Sequence, residues 1–333
     1  MSGPIYIAGL DRSGKTTLAA FLTSHPNIAI PEVGSNMWTY FYRRFGDLAD
    51  QGNLDRCLDS MLRYSHVAML DPDPERIRRE LLEAPPTYAR LFELFLRHFA
   101  ERRGKPRWGA QTGLVERYTS ELFAGHPGVQ IVHMIRDPRD RYEAAVARSP
   151  RGRGGAGGAT ARWMTSVKLA ERGRRRHPAR YMVVRFEDLV LRPEETLGEV
   201  CRFLGERFVP EMLAMEGAPE RRSRLLATSG SSTTDVPLSD GFIGRFRGRV
   251  PPRELAFMQL HAGRRMRAHG YEPTPIDLTA RDRLRFAAVD WPSQAGRMVA
   301  WRALSGLQHR LPATFGPTPD PRTVVDVPIG ASR

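Results

Sequence analysis

One stretch near the N-terminus restricts the fold of this chain more than any other. The apolar run "PIYIA" is followed at once by "GLDRSGKTTL", Gly9 to Leu18. A buried strand that ends in a glycine loop and continues into an amphipathic helix is the opening of a doubly wound α/β fold. The sequence therefore predicts a three-layer α/β fold, with a central, mostly parallel sheet and a phosphate-binding glycine loop after the first strand.

The glycine loop reads G-x-x-x-x-G-K-T, a spacing typical of phosphate-binding loops. In such a loop, backbone N–H groups converge on an anion at the positive end of the following helix. The candidate ligand-binding residues in the loop are Arg12, Ser13, Gly14, Lys15, Thr16 and Thr17. The loop alone does not distinguish a triphosphate with magnesium from another anionic donor.

The run "VQIVHMI" is a second buried-strand candidate and bears on this choice. A magnesium-dependent nucleotide hydrolase needs a carboxylate at the end of a neighbouring strand to hold the metal. This strand ends instead in Arg136, and Asp137 follows it. A guanidinium at the strand end favours a ligand whose charge is neutralised by side chains alone.

Four sequence blocks, in one order, resemble the sulfotransferases that use 3′-phosphoadenosine 5′-phosphosulfate (PAPS). The blocks are "RSGKTTLAAFLTSHPNIAIPE", "IVHMIRDPRDRYEAAVAR", "YMVVRFEDLVLRPEETLGEVCRFLG" and "GFIGRFRGRV". The resemblance implies transfer of a sulfuryl group from PAPS, without a metal, to a hydroxyl or amine of a small molecule, glycan or lipid.

The resemblance also implies roles for individual residues. Lys15 would stabilise the leaving phosphate, and Arg12 with Ser13 to Thr17 would bind the 5′-phosphate. Arg136 would pair with the 3′-phosphate, and Glu32 would be the base that takes the acceptor proton. The other implied donor-binding residues are Phe186, packed on the adenine, and Gly244, Arg245 and Arg247 of the last block.

Two positions depart from the family pattern. Ala144 stands where the family has a serine that binds the 3′-phosphate, and Gln111 stands where many relatives have a lysine. Two alternatives stay open, and these departures favour the second of them. One is a small-molecule kinase that uses ATP and magnesium, and the other is a non-catalytic anion-binding protein of the same fold.

The chain divides by composition into a sulfotransferase domain and a C-terminal segment. We expect the domain to span residues 1–275, with a helical acceptor-side region at 35–105, a mobile Gly-rich loop at 150–159 and a Ser/Thr-rich loop at 223–240. Residues 276–333 should form a helix, around Ser293 to Leu311, and a Pro-rich, disordered tail.

The charge of the chain is strongly basic, with a formal net charge of +14. No nucleic-acid-binding motif accompanies this charge, so nucleic acid is not an expected partner. The helix around Ser293 to Leu311 would suit a peripheral membrane contact, although docking on the protein itself is the more common outcome. No apolar run reaches the ~20 residues that span a bilayer, and we expect a cytoplasmic protein. The oligomeric state is open.

Overall fold

The computed structural model describes residues 3–148, 154–229 and 238–324. At its centre lies a sheet of five strands: β1 (Ile5–Gly9), β2 (Ile28–Ala29), β3 (Arg107–Gln111), β4 (Gln130–Ile135) and β5 (Tyr181–Arg185). Their order is β2-β3-β1-β4-β5, and every neighbouring pair is parallel. The predicted doubly wound α/β fold is confirmed, with a sheet that is parallel throughout.

The connections between the strands are helical. The first helices are α1 (Lys15–Thr23), α2 (Met37–Tyr40), α3 (Gln51–Leu62), α4 (Ser65–Ala68), α5 (Pro74–Leu82), α6 (Tyr88–Glu101), α7 (Thr119–Gly125) and α8 (Pro138–Arg148). They are followed by α9 (Gly155–Arg176), α10 (Phe186–Leu191), α11 (Pro193–Leu204), α12 (Pro219–Ser229), α13 (Pro252–Ala268), α14 (Ala280–Arg285), α15 (Trp291–Arg310) and α16 (Pro312–Phe315). Helices α2 to α6 lie in the region 35–105, which the sequence predicts to be helical.

Successive side chains of β1 point alternately to the two faces of the sheet, and this explains the three layers. Ile5 and Ile7 face one side, where they pack in a buried cluster with residues of α1, α10 and α11. Tyr6 and Ala8 face the other side and join the core formed with α3 and α6. Because successive side chains of a strand point to opposite faces, both faces of the sheet are covered by helices.

Strand β3 has no counterpart in the sequence-based prediction. Its residues, Arg-Trp-Gly-Ala-Gln, lack a continuous apolar run, yet all five are buried. The buried polar side chain at its first position has distant hydrogen-bond partners: Arg107 donates to the carbonyls of Gly3 (2.7 Å) and Leu204 (2.8 Å). Those partners lie about a hundred residues away, so no local pattern reveals the strand.

The expectation of a mobile Gly-rich loop is wrong from Gly155 onward, where α9 begins; residues 149–153 lie outside the described residues. The glycines serve close helix packing. A Cβ at Gly157 would lie 1.9 Å from the backbone oxygen of Gln294, and the Gln294 side chain accepts a hydrogen bond from the Gly157 N–H (2.8 Å). Glycine here lets α15 approach α9 closely.

The Ser/Thr-rich loop expected at 223–240 is also wrong in its first part, because residues up to Ser229 belong to α12. The described residues then leave out 230–237. The helix expected around Ser293 to Leu311 is α15, which packs on α9 with Met298 buried in a shared cluster. The division of the chain at residue 275 stays a prediction. Of the tail expected to be disordered, the structure describes residues up to Val324, which include α16 and a β-bridge between Val324 and Tyr64; residues 325–333 lie outside the described residues.

Candidate functional site

The glycine loop lies at the carboxyl end of β1 and leads directly into α1. Gly14, the N-cap of α1, has a φ of 95°, and Arg12 has a φ of 66°. A Cβ at Gly14 would lie 2.4 Å from the Phe186 ring. Only glycine fits both this left-handed backbone and this approach, so the loop that the sequence predicts is built against Phe186, the first residue of α10.

Lys15 begins α1 and is buried under the loop. Its Nζ donates to the Leu10 carbonyl (2.8 Å) and lies 3.9 Å from the Asp11 carboxylate. Burial lowers the pKa of Lys15, and the negative charges of Asp11 and Glu116 act in the opposite direction. Ser13 is turned to the same carbonyl, because its hydroxyl donates to Leu10 at 2.7 Å.

The two threonines at the start of α1 connect the loop to neighbouring elements. The Thr16 hydroxyl donates to Gln111 Oε1 (2.9 Å), and the Gln111 amide donates onward to the Glu32 carbonyl (2.6 Å). Thr17 Oγ1 accepts a hydrogen bond from Arg221 Nη2 (2.8 Å). At position 111 this chain therefore has a neutral amide that ties the loop to the segment carrying Glu32.

Arg136, directly after β4, links three parts of the site. Its Nη1 donates to the Arg12 carbonyl (3.1 Å), and its Nη2 donates to the Phe242 carbonyl (2.6 Å). Its guanidinium stacks on the Phe186 ring at 4.5 Å. Burial lowers the pKa of Arg136, and its Nε is buried with no hydrogen-bond partner in the described ranges.

The loop that contains Gly244 is fixed by α8. Asp140 accepts hydrogen bonds from the N–H of Gly244 (2.7 Å) and of Phe246 (3.0 Å). Of the two arginines predicted here, Arg245 lies 3.9 Å from Glu143, and Arg247 is exposed to solvent. The structure thus brings Gly244 and Arg245 to the region of Arg136, and the exposed side chain of Arg247 lies back against Gly244 and the Phe246 ring.

Glu32 lines a cavity of about 190 Å³ beside α1. One of its carboxylate oxygens accepts a hydrogen bond from the Arg221 N–H (3.1 Å). His66 lines the same cavity and shares its Nδ1 with the Tyr64 hydroxyl (2.7 Å) and the Gly34 carbonyl (3.0 Å). Other residues of the wall are Val33, Met69, Leu70, Phe99, Arg103 and Glu220.

Sequence reasoning missed Arg221 and Glu116. Arg221, on α12, contacts both Thr17 and Glu32, and burial, with the charge of Arg12, lowers its pKa to about 10. Glu116 is buried and accepts hydrogen bonds from the Gly9 N–H (3.3 Å) and the Ser166 hydroxyl (2.6 Å). Both reach the loop from distant parts of the chain, and neither lies in a recognisable motif.

Asp137, the carboxylate after the β4 strand, is engaged by Arg139. The Arg139 guanidinium donates to both of its oxygens, at 3.0 and 2.7 Å. Among the residues that the structure describes, no group of three or more His, Cys, Asp or Glu side chains has the arrangement of a metal site. The Asp137 carboxylate is thus held in an ion pair with Arg139.

A sequence model described as "Sulfotransferase family" matches residues 4–210, which include the loop, β4, Arg136 and Phe186. The chain belongs to the sulfotransferase family. No curated protein sequence matches it.

Two solved structures share the fold of this sulfotransferase. The sulfotransferase domain from the Synechococcus PCC 7002 olefin synthase aligns with a TM-score of 0.54 and 19% identity, over 83% of this chain and 98% of that one. The sulfotransferase domain from the curacin biosynthetic pathway aligns with a TM-score of 0.51 and 17% identity, over 82% of this chain and 99% of that one. At these identities the likeness establishes the fold.

No helix in the described ranges is long and apolar enough to cross a membrane.

Proposed function

We propose that this sulfotransferase uses PAPS as its donor and transfers the sulfuryl group to a hydroxyl or amine. The observation that carries this proposal is the position of Arg136. It contacts the glycine loop through Arg12 and the C-terminal loop through Phe242, and its Nε lacks a partner in the part of the chain described. A buried guanidinium that is incompletely hydrogen-bonded suits an anionic ligand.

The residues of the site fit an adenosine 3′,5′-bisphosphate skeleton. The loop amides and Arg12, with Ser13 to Thr17, would bind the 5′-phosphate. Arg136 would bind the 3′-phosphate, with Gly244, Arg245 and Arg247 on the far side. Phe186, whose ring lies against the Arg136 guanidinium and Gly14, would pack on the adenine. When bound, PAPS supplies the activated sulfuryl group.

Lys15 and Glu32 are the proposed catalytic residues. Lys15 lies at the start of α1, and a shift of its Nζ away from the Leu10 carbonyl would bring the charge to the leaving phosphate. Glu32 lines the cavity that also includes Thr23 at the end of α1, and an acceptor hydroxyl bound there would find a base within hydrogen-bond reach. Arg221 donates hydrogen bonds to both Glu32 and Thr17 and would hold the base at a fixed position relative to the loop.

The acceptor class is a small molecule, a glycan or a lipid. The cavity that holds Glu32 combines apolar walls, such as Phe99 and Leu70, with the polar groups of His66 and Arg103. The exposed side of α15, with Val299 and Leu304, would suit a peripheral membrane contact. A cytoplasmic location fits this proposal.

Calorimetric titration tests the donor. We expect adenosine 3′,5′-bisphosphate to bind with micromolar affinity in EDTA, because side-chain cations alone neutralise it. Binding of ATP only in the presence of magnesium would replace the proposal with a kinase. If neither nucleotide binds, the anion-binding protein without catalysis is the better account.

A further inference from the structure

Arg141, on α8, is buried without the partners that a buried guanidinium needs. Only 4% of its surface is exposed, and its Nε has no hydrogen-bond partner among the described residues. Arg139, two residues earlier and equally buried, shows what a satisfied arginine looks like here. It is bonded to Asp137, Gln259 and the Glu272 carbonyl. Within the ranges that the structure describes, the Arg141 side chain has no comparable set of partners.

The charges around Arg141 are mostly of its own sign. Those that act on it most strongly are the carboxylate of Asp11 and the guanidinium groups of Arg162, Arg136 and Arg12. Burial, as the main cause, lowers the pKa of Arg141 to about 10. Asp11 is itself shared, since it lies 3.9 Å from Lys15 Nζ. A buried charge in such surroundings is unfavourable unless an anion compensates it.

Arg141 lies on the side of α8 that faces the glycine loop. Residues 141, 144 and 148 are spaced by three and four positions, so they share one helix face. Arg148 is the charge that acts most strongly on Arg12, which places this face near the loop. Between the two arginines is Ala144, whose methyl group offers no hydrogen bond. On this face Arg141 is the buried hydrogen-bonding side chain, whereas Arg148 is exposed to solvent.

We propose that Arg141 is a second guanidinium for the 3′-phosphate of the donor, beside Arg136. This inference rests on the proposed function. A phosphate monoester carries about two negative charges near neutral pH, whereas the bridging phosphate and the sulfate of PAPS each carry about one. The group with the highest charge belongs where Arg136 and Arg141 repel each other, because its binding compensates both guanidinium groups.

The test compares two nucleotides that differ in the 3′-phosphate. Adenosine 3′,5′-bisphosphate and adenosine 5′-monophosphate are titrated in EDTA against the wild-type protein and Arg141→Met. The wild type should prefer the bisphosphate by at least ~100-fold, and Arg141→Met should reduce this preference at least ~10-fold, as expected for a lost charged hydrogen bond. The affinity for the monophosphate should stay unchanged. Adding Ala144→Ser to Arg141→Met places a hydroxyl on the same helix face and should restore part of the preference.

Stability supplies an independent readout. Without ligand, Arg141→Met should melt at the same temperature as the wild type or higher, because an uncompensated buried charge is removed. The rise in melting temperature that the bisphosphate causes should shrink in the variant. If the methionine variant does not fold, Arg141→Lys retains the charge but not the bidentate geometry, and its preference for the bisphosphate should also fall.

The outcomes separate the two proposals. If the wild type does not bind the bisphosphate, the proposed function fails. If the wild type binds it and the Arg141 variants keep the full preference, only the role of Arg141 is overturned. An equal loss of affinity for both nucleotides would also overturn it, because Arg141 would then act on the 5′ side.

Discussion

At the scale of single residues, Arg136 is where all four sequence blocks of this sulfotransferase meet, because it contacts Arg12, Phe186 and Phe242. We expect Arg136→Ala to weaken the binding of adenosine 3′,5′-bisphosphate by ~1.5–3 kcal/mol, the usual contribution of a charged hydrogen-bond partner. Calorimetric titration measures this directly. Arg175→Ala is the matched control, because Arg175 is exposed near the end of α9 that leads to β5, at the amino end of the sheet. Equal affinities of wild type and Arg136→Ala would refute the assignment.

Glu32 and Glu220 line the same cavity, and this allows a controlled test of the base. We expect Glu32→Gln to lower turnover ~10²-fold or more, since the amide cannot take the acceptor proton, while bisphosphate binding is unchanged. Glu220→Gln should change turnover little, because Glu220 pairs with Arg224. Turnover is followed as release of the bisphosphate from PAPS with a panel of acceptors. The reverse pattern in the two variants would move the base to Glu220.

The sequence predicts the strand, glycine loop and helix at the start of the chain, because these elements are consecutive and their geometry is local. Arg221, Glu116 and Arg141 are different. Their importance depends on which distant groups surround them: Thr17 for Arg221, the Gly9 amide for Glu116, and a cluster of arginines for Arg141. A single sequence contains no signal for such contacts, so only the structure reveals these residues.

At the scale of elements, local composition gives a wrong prediction at two places in this chain. The stretch that begins α9 has the composition of a mobile loop, but its glycines allow a close helix–helix contact. Strand β3 is the converse case, since its polar ends hide a fully buried strand. Both errors arise because burial is decided by the packing partner, α15 in one case and β1 with β2 in the other.

Gly157 provides a prediction for the contact between α9 and α15. We expect Gly157→Ala to destabilise the protein by ~1–3 kcal/mol, because the new Cβ overlaps the backbone at Gln294 and forces the helices apart. Gly198→Ala on α11 is the control, since a Cβ there meets no atom within 4 Å. That substitution should stabilise the protein by ~0.5–1 kcal/mol, as usual for glycine inside a helix.

Urea denaturation of the two variants beside the wild type gives both values. If Gly157→Ala is neutral or stabilising like Gly198→Ala, the close approach of α15 to α9 is not the reason for the glycine.

At the scale of the whole molecule, the sequence predicts the fold class and the parallel sheet, but it does not predict how the C-terminal segment is attached. Beyond residue 275, α15 packs along α9, and Arg44 donates to the Pro317 carbonyl (3.0 Å) from the helical region at 35–105. Tyr64 and Val324 form an isolated β-bridge. The segment thus contacts two separate parts of the preceding chain. A division based on composition alone does not predict these contacts.

A chain that ends at residue 275 tests whether the C-terminal segment belongs to the same folding unit. Met298, only 7% exposed, packs in a cluster with Tyr142 and Phe246. Burial of one such side chain contributes ~1.5–3 kcal/mol, and about 1 kcal/mol shifts the melting temperature of a protein of this size by ~2–4 °C. We therefore expect the shortened chain to melt at least ~5 °C lower than the full chain.

Two neighbouring positions on α15 separate lost packing from a general effect of truncation. Met298→Ala should lower the melting temperature of the full chain, whereas Val299→Ala should leave it nearly unchanged, because Val299 is 63% exposed. Because Phe246 follows Arg245 in the proposed nucleotide loop, the shortened chain should also bind the bisphosphate more weakly. If it melts and binds like the full chain, residues 276–333 are a separate unit and the contact between α15 and α9 does not support the donor site.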